Sequence, residues 1–111
     1  MKKSIKLFFA IFLIVNSSSV QAAGLSTACE MFLHSKFKGN KYLVYSGAQI
    51  AYVGKAWNDQ VSSVKVPAGC QLKVYLHSQF KGFDKIYPAG SYSYVGDAWN
   101  DQISSVKCIC N

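Results

Sequence analysis

The chain has 111 residues, with 12 basic and 5 acidic side chains, half of its residues apolar and 14% aromatic. One domain is the most this length accommodates, and sparse charge with high aromatic content excludes a long disordered protein. All twelve basic residues are Lys and none is Arg, which argues against a nucleic-acid reader built on bidentate guanidinium contacts.

Lys2, Lys3 and Lys6 precede the uninterrupted apolar run 7–15, and Val20, Gln21 and Ala22 offer small or β-branched residues before a cleavage point. This is the layout of a secretory signal, and the run is less than half of the roughly 20 apolar residues that span a membrane. Residues 1–22 are therefore expected to leave on export, giving a secreted or periplasmic domain over 23–111. A lipoprotein signal ending at Cys29 fits less well, because Leu25 sits one place too far out and Cys29 lies well beyond the apolar run. Nine lysines against five acidic residues leave the mature part at +4. That charge aids solubility and names no partner.

Cys29, Cys70, Cys108 and Cys110 all lie in the mature part. An even count in an exported chain reads as two disulfides, useful staples for so small a core. Three pairings are open. Cys108 with Cys110 is the least favourable, since side chains two apart on a strand sit too far apart unless the backbone bends. A thiolate zinc site on the Cys-x-Cys pair is the rival, and an oxidising compartment disfavours it.

The mature chain is one motif written twice. Residues 52–66 and 94–108 are identical at twelve of fifteen positions, and Phe32–Gly39 matches Tyr75–Gly82. The offset is 43 upstream and 42 downstream, so the first copy carries one extra residue between Gly39 and Tyr52. Each copy reads as strands: Leu72, Val74 and Leu76 alternate with Lys73, Tyr75 and His77, and Val64 and Val66 alternate with Ser63 and Lys65. Gly39, Gly47, Gly54, Gly82, Gly90 and Gly96 mark turns. No amphipathic helix of useful length is legible, and the Gly-Lys-Ala-Trp and Gly-Asp-Ala-Trp segments suit a single helical turn. Four short strands per copy predict an all-β, eight-stranded antiparallel sandwich.

Phe32, Phe37 and Gly39, and again Tyr75, Phe80 and Gly82, form an aromatic-x4-aromatic-x-Gly pattern that resembles the Greek-key signature of βγ-crystallins. Asn58-Asp59-Gln60-Val61-Ser62-Ser63 and Asn100-Asp101-Gln102-Ile103-Ser104-Ser105 resemble that family's calcium motif. Both patterns occur twice, in order, across the mature domain. The resemblance implies two intertwined Greek keys, about 29–68 and 70–111. It gives Ser63 and Ser105 a structural role, hydrogen-bonding to a folded hairpin. The glycines permit the φ > 0 geometry such a hairpin needs.

Calcium takes six to eight oxygen ligands, and these segments supply amide, carboxylate, hydroxyl and carbonyl oxygens. The resemblance implies two Ca²⁺ sites between the copies. One would use the Gln60 carbonyl and Ser62 hydroxyl with Asp101 from the other copy, the second Gln102 and Ser104 with Asp59. Asn58 and Asn100 stand at motif positions as ligands or loop formers, and carbonyls of Leu33 and Leu76 would complete the shells. One carboxylate per site points to a Kd on the order of 10⁻⁵–10⁻³ M. The competing reading keeps the motif only as a turn, since Asn, Asp and Ser all form turns well.

His34 and His77 are paired by the repeat rather than by a metal or catalytic role, and Trp57 and Trp99 read as core rather than ligand-stacking aromatics. No nucleophile–base–carboxylate arrangement is legible. The sequence thus predicts a monomeric, non-enzymatic, secreted calcium-binding domain, without nucleic acid and without a membrane contact after signal cleavage. The alternatives are a secreted proteinase inhibitor of the same fold, with residues 40–49 as its candidate loop, and a small secreted toxin or antimicrobial protein.

Overall fold

The period-2 patterns become strands with one dry face. In the computed structural model, which describes residues 27–111, these are β1 (Ala28–His34), β2 (Lys38–Tyr45), β3 (Gln49–Ile50), β4 (Ser63–His77), β5 (Lys81–Tyr92) and β6 (Ser105–Cys110). The expected signal at 1–22 lies outside the described residues. No helix occurs among the described residues.

Six strands do the work of the eight expected because β4 and β5 each serve twice. The first part of β4, Val64–Val66, pairs with the end of β5, Gly90–Tyr92, and its far part, Gln71–His77, pairs with Lys81–Pro88. The start of β4 also pairs with β1, and its far part with β6. The antiparallel pairings therefore form two four-stranded halves, β2-β1-β4-β5 and β5-β4-β6-β3. Each half borrows a strand from the other copy: β3 of the first copy pairs with β6, and the end of β5 with the start of β4. The copies are intertwined.

One core serves both halves. Met31, Val44, Val64 and Val66 from the first meet Leu72, Val74, Tyr87, Val106 and Cys108 from the second. Tyr87 Oη donates to the Val95 carbonyl at 2.8 Å, and burial, then the neighbouring Tyr92, pushes its pKa up to about 12. Trp57 and Trp99 pack on the rim of this core, Trp57 edge-on to Tyr42 with ring centroids 5.3 Å apart.

Both disulfides end on β6. Cys29 in β1 joins Cys108, and Cys70 joins Cys110, its direct partner in the β4–β6 ladder. All four sulfurs are thereby committed to disulfides.

The folded hairpins follow β1 and β4 at equivalent places. Lys36 and Phe37, and likewise Gln79 and Phe80, adopt left-handed φ near +60° in pairs, the geometry of a two-residue turn with both central residues at φ > 0. Each such non-glycine residue costs roughly 1–2 kcal/mol. Two fully buried serines offset this. Ser63 Oγ accepts from the Phe37 N–H at 3.0 Å and donates to the His34 carbonyl at 2.6 Å; Ser105 repeats this with Phe80 at 3.1 Å and His77 at 2.6 Å. Edge-to-face pairs Phe32–Phe37 and Tyr75–Phe80 cover the turns. Behind each lies a glycine at φ near +80°, and a Cβ on Gly82 would meet His77 Cδ2 at 2.6 Å, one on Gly39 His34 Cδ2 at 2.7 Å. The exposed histidines thus lie over the hairpin glycines.

Ser105→Ala should therefore leave a donor and an acceptor unpaired together, at about 2–3 kcal/mol. Urea denaturation of the variant checks this, and a change below about 0.5 kcal/mol would mean that the turn holds without its serine.

Residues 40–49, considered above as an exposed inhibitor loop, are not one. They lie mostly in β2, paired with β1 from Ala28–Tyr45 to His34–Lys38, and in β3. Only a tight turn separates these strands, its Ser46, Gly47 and Ala48 amides donating to the Thr27, Cys108 and Tyr45 carbonyls. The extra residue of the first copy is absorbed there. The second copy makes the equivalent bend inside β5, around Pro88–Gly90.

Candidate metal sites between the two copies

Each Asn-Asp-Gln segment ends a single helical turn. The Asn58 amide donates to the Gly54 carbonyl at 2.8 Å and the Asn100 amide to that of Gly96 at 2.8 Å. The next residue, Asp59 or Asp101, then breaks to φ near +60°, a conformation that Asp tolerates better than most residues. This break turns the chain toward the other copy. The Asp59 amide reaches the Ile103 carbonyl at 3.2 Å, and the Asp101 amide reaches that of Val61 at 3.1 Å.

The two loops consequently lie side by side, and the side chains meet across the repeat. Ser62 Oγ stands 3.5 Å from Asp101 Oδ1, and Ser104 Oγ stands 3.5 Å from Asp59 Oδ1. Both serines are buried, while both aspartates are exposed. Strands hold the serines: the Ser62 amide donates to the Phe32 carbonyl and the Ser104 amide to that of Tyr75.

A pocket opens at each crossing. The first is lined by His34, Ser35, Lys36, Ser62, Ser93, Tyr94 and Asn100. The second is lined by Tyr52, Asn58, Asp59, Leu76, His77, Ser78, Gln102 and Ser104. Five residues singled out by sequence thus share the second pocket. At the first, Ser62 and Asn100 are in the wall, whereas Leu33 and Gln60 are not among the lining residues, and Asp101 reaches it through Ser62.

The asparagines differ. Asn58 Oδ1 accepts from Ser104 Oγ at 2.6 Å, and its amide nitrogen points to Asp59 Oδ2 at 3.4 Å. Asn100 Oδ1 is buried without a hydrogen-bond partner. A buried oxygen left unpaired is costly, and a cation beside it would remove that cost. The donor set is all oxygen: carboxylate, hydroxyl, amide and backbone carbonyl. Hard divalent ions take such ligands, and Ca²⁺ tolerates their irregular spacing better than Mg²⁺. The residues therefore fit calcium. Sequence reasoning did not pick out Tyr94 and Tyr52, which line the two pockets at equivalent repeat positions, although the repeat itself aligns them.

No protein-family model matches the sequence. No curated protein matches it either. Solved structures do. A double mutant of a βγ-crystallin domain from Clostridium beijerinckii is 26% identical, with a TM-score of 0.67 over 75% of this chain and 97% of that one. The N-terminal domain of protein S is 25% identical, with a TM-score of 0.66 over 75% of this chain and 96% of its own. A double mutant of clostrillin in complex with nickel is 24% identical, with a TM-score of 0.68 over 75% and 98%. Together with the exchanged strands and the serine-braced hairpins, these likenesses give the chain the fold of the βγ-crystallin domains.

Proposed function

We propose that the protein is an exported calcium-binding βγ-crystallin domain, with two Ca²⁺ sites between the copies that stabilise the fold. The observation that carries this reading is the crossed approach of each buried serine to the other copy's aspartate, Ser62 to Asp101 and Ser104 to Asp59. Ca²⁺ would supply a shared positive charge that ties the two copies together. Ser62, Asn100 and Asp101 would hold one ion, with the Gln60 carbonyl. Ser104, Asp59 and the Gln102 and Leu76 carbonyls would hold the other, with Asn58 as ligand or as the brace of Ser104. Both sites rest on strands and short turns rather than on a hinged helix pair, so binding should stabilise the fold without changing its shape.

Double-mutant cycles test the crossing. Asp59→Ala combined with Ser104→Ala should be non-additive in calcium affinity by at least 0.5 kcal/mol, as should Asp101→Ala with Ser62→Ala. Coupling of Asp59 to Ser62 alone would mean that each loop closes its own site.

A further inference from the structure

The two candidate sites come from one motif, yet their surroundings are not equally charged. The repeat aligns Asp97 with Lys55 and Gln79 with Lys36. At the Ser62 site, Tyr94 Oη donates to Asp97 Oδ1 at 2.7 Å, and Tyr94 lines the pocket beside Ser62 and Asn100. Asp97, hydrogen-bonded to Tyr94, and Asp101, beside Ser62, are thus the two carboxylates of this side. Lys36 opposes them from the hairpin. At the Ser104 site Tyr52 takes the place of Tyr94, and Lys55 stands where the other copy has Asp97. Asp59 is the carboxylate there, and Gln79 replaces Lys36. His34 and His77 flank the two sites alike and cancel in the comparison.

Counting these groups, the Ser62 site carries about one negative charge more than the Ser104 site. The asparagines point the same way. Asn100 Oδ1 is buried and free to ligate, whereas Asn58 Oδ1 is already engaged by the Ser104 hydroxyl.

We infer that the site of Ser62, Asn100 and Asp101 binds calcium more tightly and fills first, and that the Asp97/Lys55 difference between the copies sets this order. The inference rests on the calcium reading above. One unit of charge several ångströms from a divalent ion, largely in water, changes affinity on the order of fivefold to tenfold. Lys36 reduces the gap without closing it, because the Asp97/Lys55 difference is worth two charges and Lys36 against Gln79 returns only one.

Calcium titration calorimetry on the full mature chain tests this with single-site variants. Ser104→Ala, which keeps the Ser62 site, should retain five- to tenfold tighter binding than Ser62→Ala. Adding Asp97→Asn to Ser104→Ala, a change of one charge, should weaken the remaining site by a similar factor, and adding Lys55→Gln to Ser62→Ala should strengthen the other. Asp97 and Lys55 are exposed, so Asp97→Asn alone in the otherwise unaltered chain should merge the two binding steps even if a serine variant folds poorly. Raising the ionic strength should narrow the gap. Equal or reversed affinities, with calcium bound at both sites, would overturn the inference and leave the calcium reading intact. Absence of binding in the unaltered chain would instead remove that reading.

Discussion

Replacing Cys29 and Cys108 together by alanine should lower the thermal midpoint by roughly 15–30 °C. The bond joins β1 to β6 across 79 residues, and a cross-link closing a loop of several tens of residues restricts the unfolded chain by about 4 kcal/mol. With Cys70–Cys110 intact the effective loop shortens, which lowers this only slightly because the dependence on length is logarithmic. Both cysteines are fully buried, so the lost sulfur contacts add to the deficit. For a domain below 100 residues each kcal/mol moves the midpoint by about 4–8 °C. Scanning calorimetry of the variant measures the shift. A loss under 5 °C would show that the sheet ladders alone hold β1 against β6.

Calcium should act on the same scale. A ligand that binds only the native state adds RT ln(1 + [L]/Kd), about 2.7 kcal/mol per site at a hundredfold excess over Kd. Two filled sites should raise the midpoint by well over ten degrees, while the far-ultraviolet dichroism barely changes because the strands are present in both forms. Trp57 and Trp99 precede the two segments and pack against the core, so their emission should respond to the ion. Melts in EDTA and in millimolar calcium that coincide would mean that the segments serve only as turns.

The repeat made much of this legible. Ser63 and Ser105, Phe37 and Phe80, Gly39 and Gly82 each occur twice in register, and a residue that recurs at a structural joint betrays the joint. The all-β class followed from alternation in β4. The strand count did not, because β4 and β5 continue through both halves of the sandwich, and sequence offers no stop where one half ends and the other begins.

The left-handed pairs Lys36–Phe37 and Gln79–Phe80 were hidden for another reason. None of these residue types favours φ > 0, and the conformation is imposed by distant Ser63 and Ser105. Disulfide connectivity was hidden because it depends on which strands become neighbours: Cys70 faces Cys110 only once β4 pairs with β6. At the candidate sites the doubled segments were visible, but the unequal asparagines were not, since Asn58 and Asn100 differ only in what surrounds them. The exchange of Lys55 for Asp97 lay in plain view within the repeat. Its meaning needed Tyr94, which lines the pocket and holds Asp97 by a hydrogen bond.

Two calcium ions should bind between the copies, each held by a serine of one and an aspartate of the other. Isothermal titration of the purified protein with calcium measures this. The expected result is two ions per chain, with dissociation constants on the order of 10⁻⁵–10⁻³ M, falling to one ion in Ser62→Ala and in Ser104→Ala alike. No binding heat above dilution at millimolar calcium, or a stoichiometry of two that survives both substitutions, would contradict it.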